Sequence, residues 1–409
     1  MSVIAIFSGA HCRSIPVIDG VKTKTGYRIV TEQEIIAKAA ASTGMPEKKF
    51  EAVFASKISV FNQFTHERER SIAYLRRTLA GILSDDNLIV TGFPLHLIPK
   101  EIAHILRVCL IADLKSRLAT AREEKGLSEK AALESIRKED EKTIAWVKAL
   151  HDEADPWNPK HYDLVLPTDK TSVTDAVAAI VEHGTSDILR RSALSEKALG
   201  DFALTAEIET ALAREGHNIR VASQNGAVRL TIEKQVLMLS RLEEELKQIV
   251  SKIPGVRSIA TEVGKNFHQT DIYRKYDFQT PSKVLLVDDE REFVQTLSER
   301  LIMRDMGSAV AYDGESALTM IHDDEPEVMI LDLKMPGING IEVLRQVKET
   351  RPEIEVIILT GHGSEADKQI CLQLGAFAYL QKPVDINTLS TAIQQANEKI
   401  LKNKPRTAE

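Results

Sequence analysis

Residues 284–290 read Val-Leu-Leu-Val-Asp-Asp-Glu, so that four consecutive apolar residues are followed directly by three acids. A short apolar run of this kind is typical of a strand that is buried on both faces, as in a parallel sheet. Three more runs of this kind follow, and each is bordered on its C-terminal side by a polar residue. These runs are 328–331, 356–359 and 377–380, and the polar residues are Asp332, Thr360 and Lys382. The pattern predicts a parallel α/β domain.

The polar residues after these runs are the candidates for a functional site, since open α/β sheets bind ligands beyond the carboxyl ends of their strands. The carboxylates of Asp288, Asp289 and Asp332 would repel one another unless a cation were bound between them. Oxygen ligands without His or Cys favour a hard divalent ion, most plainly Mg²⁺. Asp332 could then attack a phosphoryl donor, while Lys382 neutralises the transferred oxygens and the Thr360 hydroxyl binds one of them. The predicted product is an aspartyl phosphate.

Each of these residues also has an ordinary structural explanation. A single acid at a strand end usually caps a helix or is solvated, Lys382 alone would be a surface charge, and Thr360 alone would be a turn residue. We favour the functional interpretation because four such signals occur in the order that one shared site requires.

The segment Lys283–Ile400 resembles a response-regulator receiver domain of two-component signalling, which implies a flavodoxin-like (βα)₅ fold. By that resemblance Asp332 is the phosphoacceptor and a metal ligand. Asp289 would bind Mg²⁺ directly and Asp288 through water, while Lys334 would contribute its backbone carbonyl. A sensor histidine kinase or a phosphotransfer protein would be the phosphoryl donor.

The same resemblance assigns a conformational switch. Thr360 would move its hydroxyl toward the phosphoryl group, and the ring of Tyr379 would follow inward. Lys382 matches the lysine of the family and would precede a cis peptide bond to Pro383. The final helix has apolar residues at 3–4 spacing between 386 and 400, most of them predicted to be core. The neighbouring face is where such domains often form homodimers.

The N-terminal residues 1–183 alternate short apolar runs with helical patterns, which predicts a second, largely parallel sheet. The predicted strands are Val3–Phe7, Leu88–Val90, Val108–Ile111 and Leu164–Leu166. The region resembles the cytidylate-kinase-like branch of the nucleoside monophosphate kinases, and the resemblance implies a P-loop-kinase-like fold. It is carried by residues 27–40, 88–92, 108–112, 126–130, 140–142 and 157–164, together with Arg117 and Arg122.

The phosphate loop of such kinases is degenerate in this sequence. The form GxxxxGK[ST] requires a lysine, but residues 7–16 contain one glycine and no lysine. Pro16 also removes a backbone amide that would bind phosphate. Residues 20–26 are predicted to form a turn or hairpin instead. Arg117 and Arg122 could bind nucleotide phosphates, although arginines on a helix are more often solvated, so we favour a kinase fold without turnover over an active kinase.

The middle region 204–264 is predicted to be a small α+β unit with the order helix, hairpin, helix, strand. Its Asn225-Gly226 dipeptide is a strong hairpin signal. The pattern is similar to that of a BON domain. The unit could be a module that docks a protein or ligand, or it could be a structural spacer. We predict linkers at 184–203 and 265–281, a receiver domain at 282–402 and a tail at 403–409.

The composition is that of a globular protein of two or three domains, with 409 residues, 43% hydrophobic residues and a net charge of −7. No apolar run is long enough to span a bilayer, no signal peptide is evident, and the three cysteines lie far apart. We therefore expect a cytoplasmic protein. No DNA-binding helix-turn-helix is evident. The predicted function is a response regulator whose N-terminal modules bind a protein or ligand; the alternative is a receiver-regulated cytidylate-like kinase.

Overall fold

The structure is a computed structural model, and it describes residues 2–403 except 56, 152–154, 237, 266, 268–274, 276–280, 282 and 362. The chain forms two compact units. The first comprises residues 1–58 and 67–273, and the second comprises residues 59–66 and 274–409. Most of the predicted linker 265–281 and of the predicted tail 403–409 lies outside the described residues. Among the described residues, no helix combines the length and the hydrophobicity that a membrane span requires.

The first unit is built on a five-stranded parallel sheet with the order β2-β3-β1-β4-β5. Its strands are β1 (Val3–Ser8), β2 (Arg28–Val30), β3 (Leu88–Thr91), β4 (Ile105–Ile111) and β5 (Leu164–Pro167). All four predicted strands are therefore confirmed, and the short strand β2 was not predicted. Alternate residues of β1 enter different cores, since Val3 and Ala5 pack on one face of the sheet and Ile4 and Ile6 on the other.

Eight helices lie in the described chain up to residue 184. They are α1 (Ser14–Thr25), α2 (Glu32–Thr43), α3 (Glu47–Glu51), α4 (Asn62–Thr65), α5 (Glu67–Ile82), α6 (Leu114–Lys125), α7 (Glu129–His151) and α8 (Val173–Gly184). Helix α4 belongs to the second unit and the others to the first. The parallel sheet thus has the helical connections that parallel strands require.

The predicted turn or hairpin at residues 20–26 is wrong, because α1 runs through most of it. A Cβ atom added to Gly20 would lie 2.6 Å from the Val177 Cγ2 atom, so glycine allows α1 to approach α8 closely. Gly26 ends the helix in the left-handed conformation, with a φ of 73°, and its N–H donates to the Lys22 carbonyl at 2.8 Å. The two glycines thus serve helix packing and helix termination.

The middle region has the predicted order of elements. They are α9 (Ala193–Arg214), β6 (Arg220–Gln224), β7 (Ala227–Ile232), α10 (Leu239–Val250) and β8 (Ser258–Val263). The predicted hairpin is confirmed, and both turn residues, Asn225 and Gly226, have positive φ. Strand β8 pairs with β7 in parallel.

Helix α9 begins at Ala193, inside the predicted linker 184–203. It packs along α5, where Arg76 pairs with Glu209 at 2.7 Å and Arg77 pairs with Glu207 at 2.5 Å. The predicted linker therefore includes the first half of a helix that continues into the middle region.

The second unit contains a five-stranded parallel sheet with the order β10-β9-β11-β12-β13. Its strands are β9 (Val284–Val287), β10 (Ser308–Ala311), β11 (Val328–Leu331), β12 (Glu355–Thr360) and β13 (Ala378–Gln381). Its remaining helices are α11 (Arg291–Ile302), α12 (Gly314–Asp323), α13 (Gly340–Thr350), α14 (Glu365–Gln373) and α15 (Ile386–Asn403). This strand order is the flavodoxin-like one, which confirms the predicted fold.

The four apolar runs of the sequence are strands of this sheet, as predicted, while β10 was not predicted. Alternate strand residues pack against helices on opposite faces of the sheet. The stripe of α15 is largely core, since Leu389 and Ile393 are fully buried and Ile386 and Ile400 pack against the same cluster.

Residues 59–66 are an unpredicted part of the second unit. The Phe61 side chain is 1% exposed and belongs to the hydrophobic cluster that includes Ile321 and Met329. The Ser59 hydroxyl donates a hydrogen bond to the Asp324 carboxylate. Phe61 therefore completes a core whose other members all lie more than two hundred residues later in the chain.

We expect the substitution Phe61→Ala to destabilise the second unit by about 3–5 kcal/mol, because it removes buried apolar surface and leaves a cavity. Native-state hydrogen exchange of peptides from β11 and β12 would measure the loss. Val60 is 47% exposed, and we expect the control Val60→Ala to change the stability by less than about 0.5 kcal/mol. Unchanged exchange in the Phe61 variant would contradict this account of the core.

Candidate functional site

The sheet of the second unit brings the polar residues after its strands to one edge. In the parallel register, Leu331 of β11 lies between Val287 of β9 and Ile358 of β12. The next residue, Asp332, donates its backbone N–H to the Val287 carbonyl at 2.9 Å, which aligns it with the end of β9. The acids after β9 and β11 therefore lie together because their strands are neighbours.

Asp288, Asp289 and Asp332 form a cluster in which one carboxylate oxygen from each residue lies within 4.8 Å of the others. Among the described residues, this is the one group of three or more His, Cys, Asp or Glu side chains with such geometry. Asp288 and Asp332 are buried, whereas Asp289 is exposed. Burial raises the pKa of Asp288 above its ordinary value. An all-oxygen cluster with one exposed member fits a hard divalent cation that keeps part of its water.

Lys382 supplies the positive charge at this edge. Its Nζ atom lies 2.7 Å from Asp288 Oδ2, 2.9 Å from Glu290 Oε1 and 3.8 Å from Asp332 Oδ2. Burial opposes the charged ammonium, but the hydrogen bonds to Asp288 and Glu290 outweigh it, so the pKa of Lys382 is raised. The ammonium also lies 4.5 Å from the centre of the Phe293 ring.

Glu290 and Phe293 were not predicted as part of the site. Glu290 follows the two aspartates directly, and that acidic run was the available signal in the sequence. Phe293 lies in the first turn of α11, and its position on the helix gave no indication of contact with a lysine ninety residues later.

Asp332 is held in a fixed orientation by backbone groups. Its Oδ1 atom accepts a hydrogen bond from the Leu333 N–H at 2.8 Å, and its Oδ2 atom lies 3.8 Å from Lys382 Nζ. A Cβ atom on Gly340 would lie 2.2 Å from the Asp332 carbonyl oxygen, so only glycine fits under this backbone. One carboxylate oxygen is thus bound to the backbone while the other faces the lysine, which suits a nucleophile.

Thr360 and Tyr379 lie on the neighbouring strands. Thr360 is fully buried at the end of β12, and its carbonyl accepts the Lys382 N–H at 3.0 Å. Tyr379 lies on β13 opposite Ile358, and burial raises the pKa of its phenol. The peptide bond from Lys382 to Pro383 is cis, as the resemblance implied. Lys334 is exposed in the loop after β11, and the metal-binding role of its carbonyl stays a prediction.

The two candidate arginines of the first unit have different surroundings. The guanidinium of Arg117 donates two hydrogen bonds to Asp140, at 2.9 and 2.6 Å, and its Nε donates to the Ala10 carbonyl at 2.8 Å. Arg122 is exposed in the last turn of α6. Arg117 thus supports the loop after β1 through its own hydrogen bonds, and nucleotide binding by either residue stays a prediction.

The loop of residues 9–13 is fixed by contacts within the first unit. The Gly9 N–H donates to the Leu110 carbonyl at 3.0 Å, and the Thr168 hydroxyl donates to the Cys12 carbonyl at 3.1 Å. A phosphate cradle instead directs several backbone N–H groups toward the ligand. In this loop the Gly9 amide is already bonded to Leu110 and does not point toward a ligand.

Two parts of the chain are similar to known protein families. Residues 284–394 match the model of the response regulator receiver domain, and residues 3–170 match the model of the cytidylate kinase-like family. The chain is 42% identical over 113 residues to the transcriptional regulatory protein CpxR of Klebsiella pneumoniae and to that of Escherichia coli. Each match covers 28% of this chain and 48% of the relative, so the chain spans about half the length of these curated relatives.

Solved receiver structures are also similar to the C-terminal part. A CheY-like receiver domain protein from Methanospirillum hungatei is 26% identical, with a TM-score of 0.29, and the match covers 29% of this chain and 95% of that protein. A receiver domain protein from Clostridium thermocellum is 34% identical, with a TM-score of 0.28 and coverages of 29% and 94%. By its matches to the two family models, the chain carries a response regulator receiver domain at residues 284–394 and a region of the cytidylate kinase-like family at residues 3–170.

Proposed function

We propose that this protein acts in two-component signalling by accepting a phosphoryl group on Asp332. The observation that carries the proposal is the cluster of Asp332 with Asp288 and Asp289, together with the distance of 3.8 Å between Asp332 Oδ2 and the Lys382 ammonium. Receiver domains act with a histidine kinase or phosphotransfer partner, and we propose such a protein as the donor.

In the proposed reaction Asp332 Oδ2 attacks the phosphorus atom of the donor. The new bond joins oxygen to phosphorus, and the bond from phosphorus to the donor atom breaks, with its electron pair leaving on the donor. Lys382 then pairs with a transferred oxygen, and the buried Thr360 hydroxyl donates a hydrogen bond to another.

Mg²⁺ is the cofactor that we propose for this reaction. Asp288, Asp289 and Asp332 would hold the ion together with the Lys334 carbonyl, and the oxygen-only donor set supports that choice. When bound, the ion supplies positive charge that neutralises the developing charge on the phosphoryl oxygens.

The output would follow from a shift between two arrangements of the receiver. A new hydrogen bond from Thr360 to the phosphoryl group stabilises one arrangement of the loop after β12 and of the neighbouring Tyr379. We propose that this shift changes what the N-terminal modules bind, with a protein or a small ligand as the target. Homodimer formation beside α15 stays a prediction.

We expect the full chain, incubated with Mg²⁺ and a small phosphoryl donor such as acetyl phosphate, to gain one acid-labile phosphate. The substitution Asp332→Asn should abolish labelling, because an amide does not attack phosphorus. The control Asp323→Asn removes an exposed acid outside the site and should keep the label. Removing Mg²⁺ with EDTA should also prevent labelling. Full labelling of the Asp332 variant would refute the assignment.

A receiver-regulated nucleotide kinase is the second candidate, and the family match over residues 3–170 is the observation that favours it. The missing lysine, Pro16 and the internally bonded loop at 9–13 argue against turnover.

We expect negligible transfer of phosphate from ATP to CMP by the full chain, because no loop lysine is present to pair with the β- and γ-phosphates. The measurement is product formation with and without acetyl phosphate, with an active cytidylate kinase as the positive control. Robust turnover in either state would overturn the view that the kinase fold is inactive.

A further inference from the structure

The side chain of Tyr379 occupies the space that a side chain at Gly363 would need. A Cβ atom added to Gly363 would lie 1.6 Å from the Tyr379 hydroxyl oxygen and 3.0 Å from the ring atom that carries it. It would also lie 3.0 Å from the Thr360 Cγ2 atom. The phenol therefore lies directly over the backbone of Gly363, beside the methyl group of Thr360.

Space, and not backbone conformation, makes glycine necessary at this position. The φ of Gly363 lies outside the left-handed region, so a positive φ is not the reason for glycine here. Gly361 in the same loop provides a contrast, because its added Cβ would meet only Lys382 atoms, at an ordinary 3.9 Å. The main difference between the two glycines is therefore the Tyr379 hydroxyl, which lies 1.6 Å from the added Cβ position of the second.

The position of Tyr379 is maintained by packing and not by a hydrogen bond of its hydroxyl. The hydroxyl oxygen is shielded from solvent and has no hydrogen-bond partner among the described residues. The ring packs against the hydrophobic cluster that contains Ile358 and Cys371. A buried hydroxyl without a partner is unfavourable, so small changes in the space around it should move the ring.

We propose that Gly363 is the size gate of the switch tyrosine: the missing side chain allows the Tyr379 ring to lie beside Thr360. A side chain at 363 would displace the ring from its place beside Thr360. The inference deepens the proposed function, on which it rests for its consequence, since the residue at 363 would then set how far phosphorylation can still move Tyr379.

The substitution Gly363→Ala tests the gate in the full, unphosphorylated chain. We expect nitration of Tyr379 by tetranitromethane, followed by peptide mass spectrometry, to become about tenfold faster in the variant, because overpacking disfavours the position of the ring beside Thr360. The matched variant Gly361→Ala should nitrate Tyr379 at the rate of the unsubstituted chain. Equal rates in Gly363→Ala and Gly361→Ala would overturn the proposal.

A double substitution keeps the test valid if Gly363→Ala also weakens folding. In a chain that retains Tyr379, we expect Gly363→Ala to lower the thermal midpoint of the receiver by about 4–8 °C. In a Tyr379→Ala background the space is vacant, and the same substitution should leave the midpoint unchanged. An equal decrease in both backgrounds would contradict the gate. Both tests of Gly363 are done without a phosphoryl donor. A failure of Asp332 labelling would therefore contradict the proposed function without affecting the result for Gly363.

Discussion

Electrostatic repulsion among three carboxylates is the constraint on which the receiver depends. Asp288, Asp289 and Asp332 have oxygen atoms within 4.8 Å of one another, and two of these side chains are buried. Such an arrangement is unfavourable in isolation. It persists because the parallel sheet fixes the backbone after β9 and β11, and because the Lys382 ammonium lies 2.7 Å from Asp288. The same cluster of negative charge supports the proposal that the site binds a divalent cation.

The fold supports this site through close backbone packing. Gly340 lies against the Asp332 backbone where no side chain fits, and the Leu333 N–H fixes one carboxylate oxygen. On the neighbouring strands, glycine at 363 leaves room for the Tyr379 ring beside Thr360. The two glycines therefore have related roles, since one packs against the backbone of the proposed nucleophile and the other leaves space for the proposed switch tyrosine.

The sequence predicted the parts of this structure that depend on local pattern. Apolar runs followed by acids located the strands of the receiver and the polar residues at their ends, because strand burial and strand-end chemistry are both local signals. Strand β10 was missed because its Ser-Ala-Val-Ala run is short and weakly apolar. Residues 20–26 were mistaken for a turn, because glycine also serves close helix packing. The burial of Phe61 in the second unit depends on tertiary contacts, which no local pattern reports.

In the proposed function, the Asp332 side chain of the acidic cluster becomes an acyl phosphate. Reduction of the phosphorylated full chain with borohydride converts an aspartyl phosphate to homoserine, which peptide mass spectrometry locates by residue. We expect homoserine at position 332 and unmodified aspartate at 288 and 289. Homoserine at another position, or phosphate on a histidine, serine or threonine with no homoserine at 332, would contradict it.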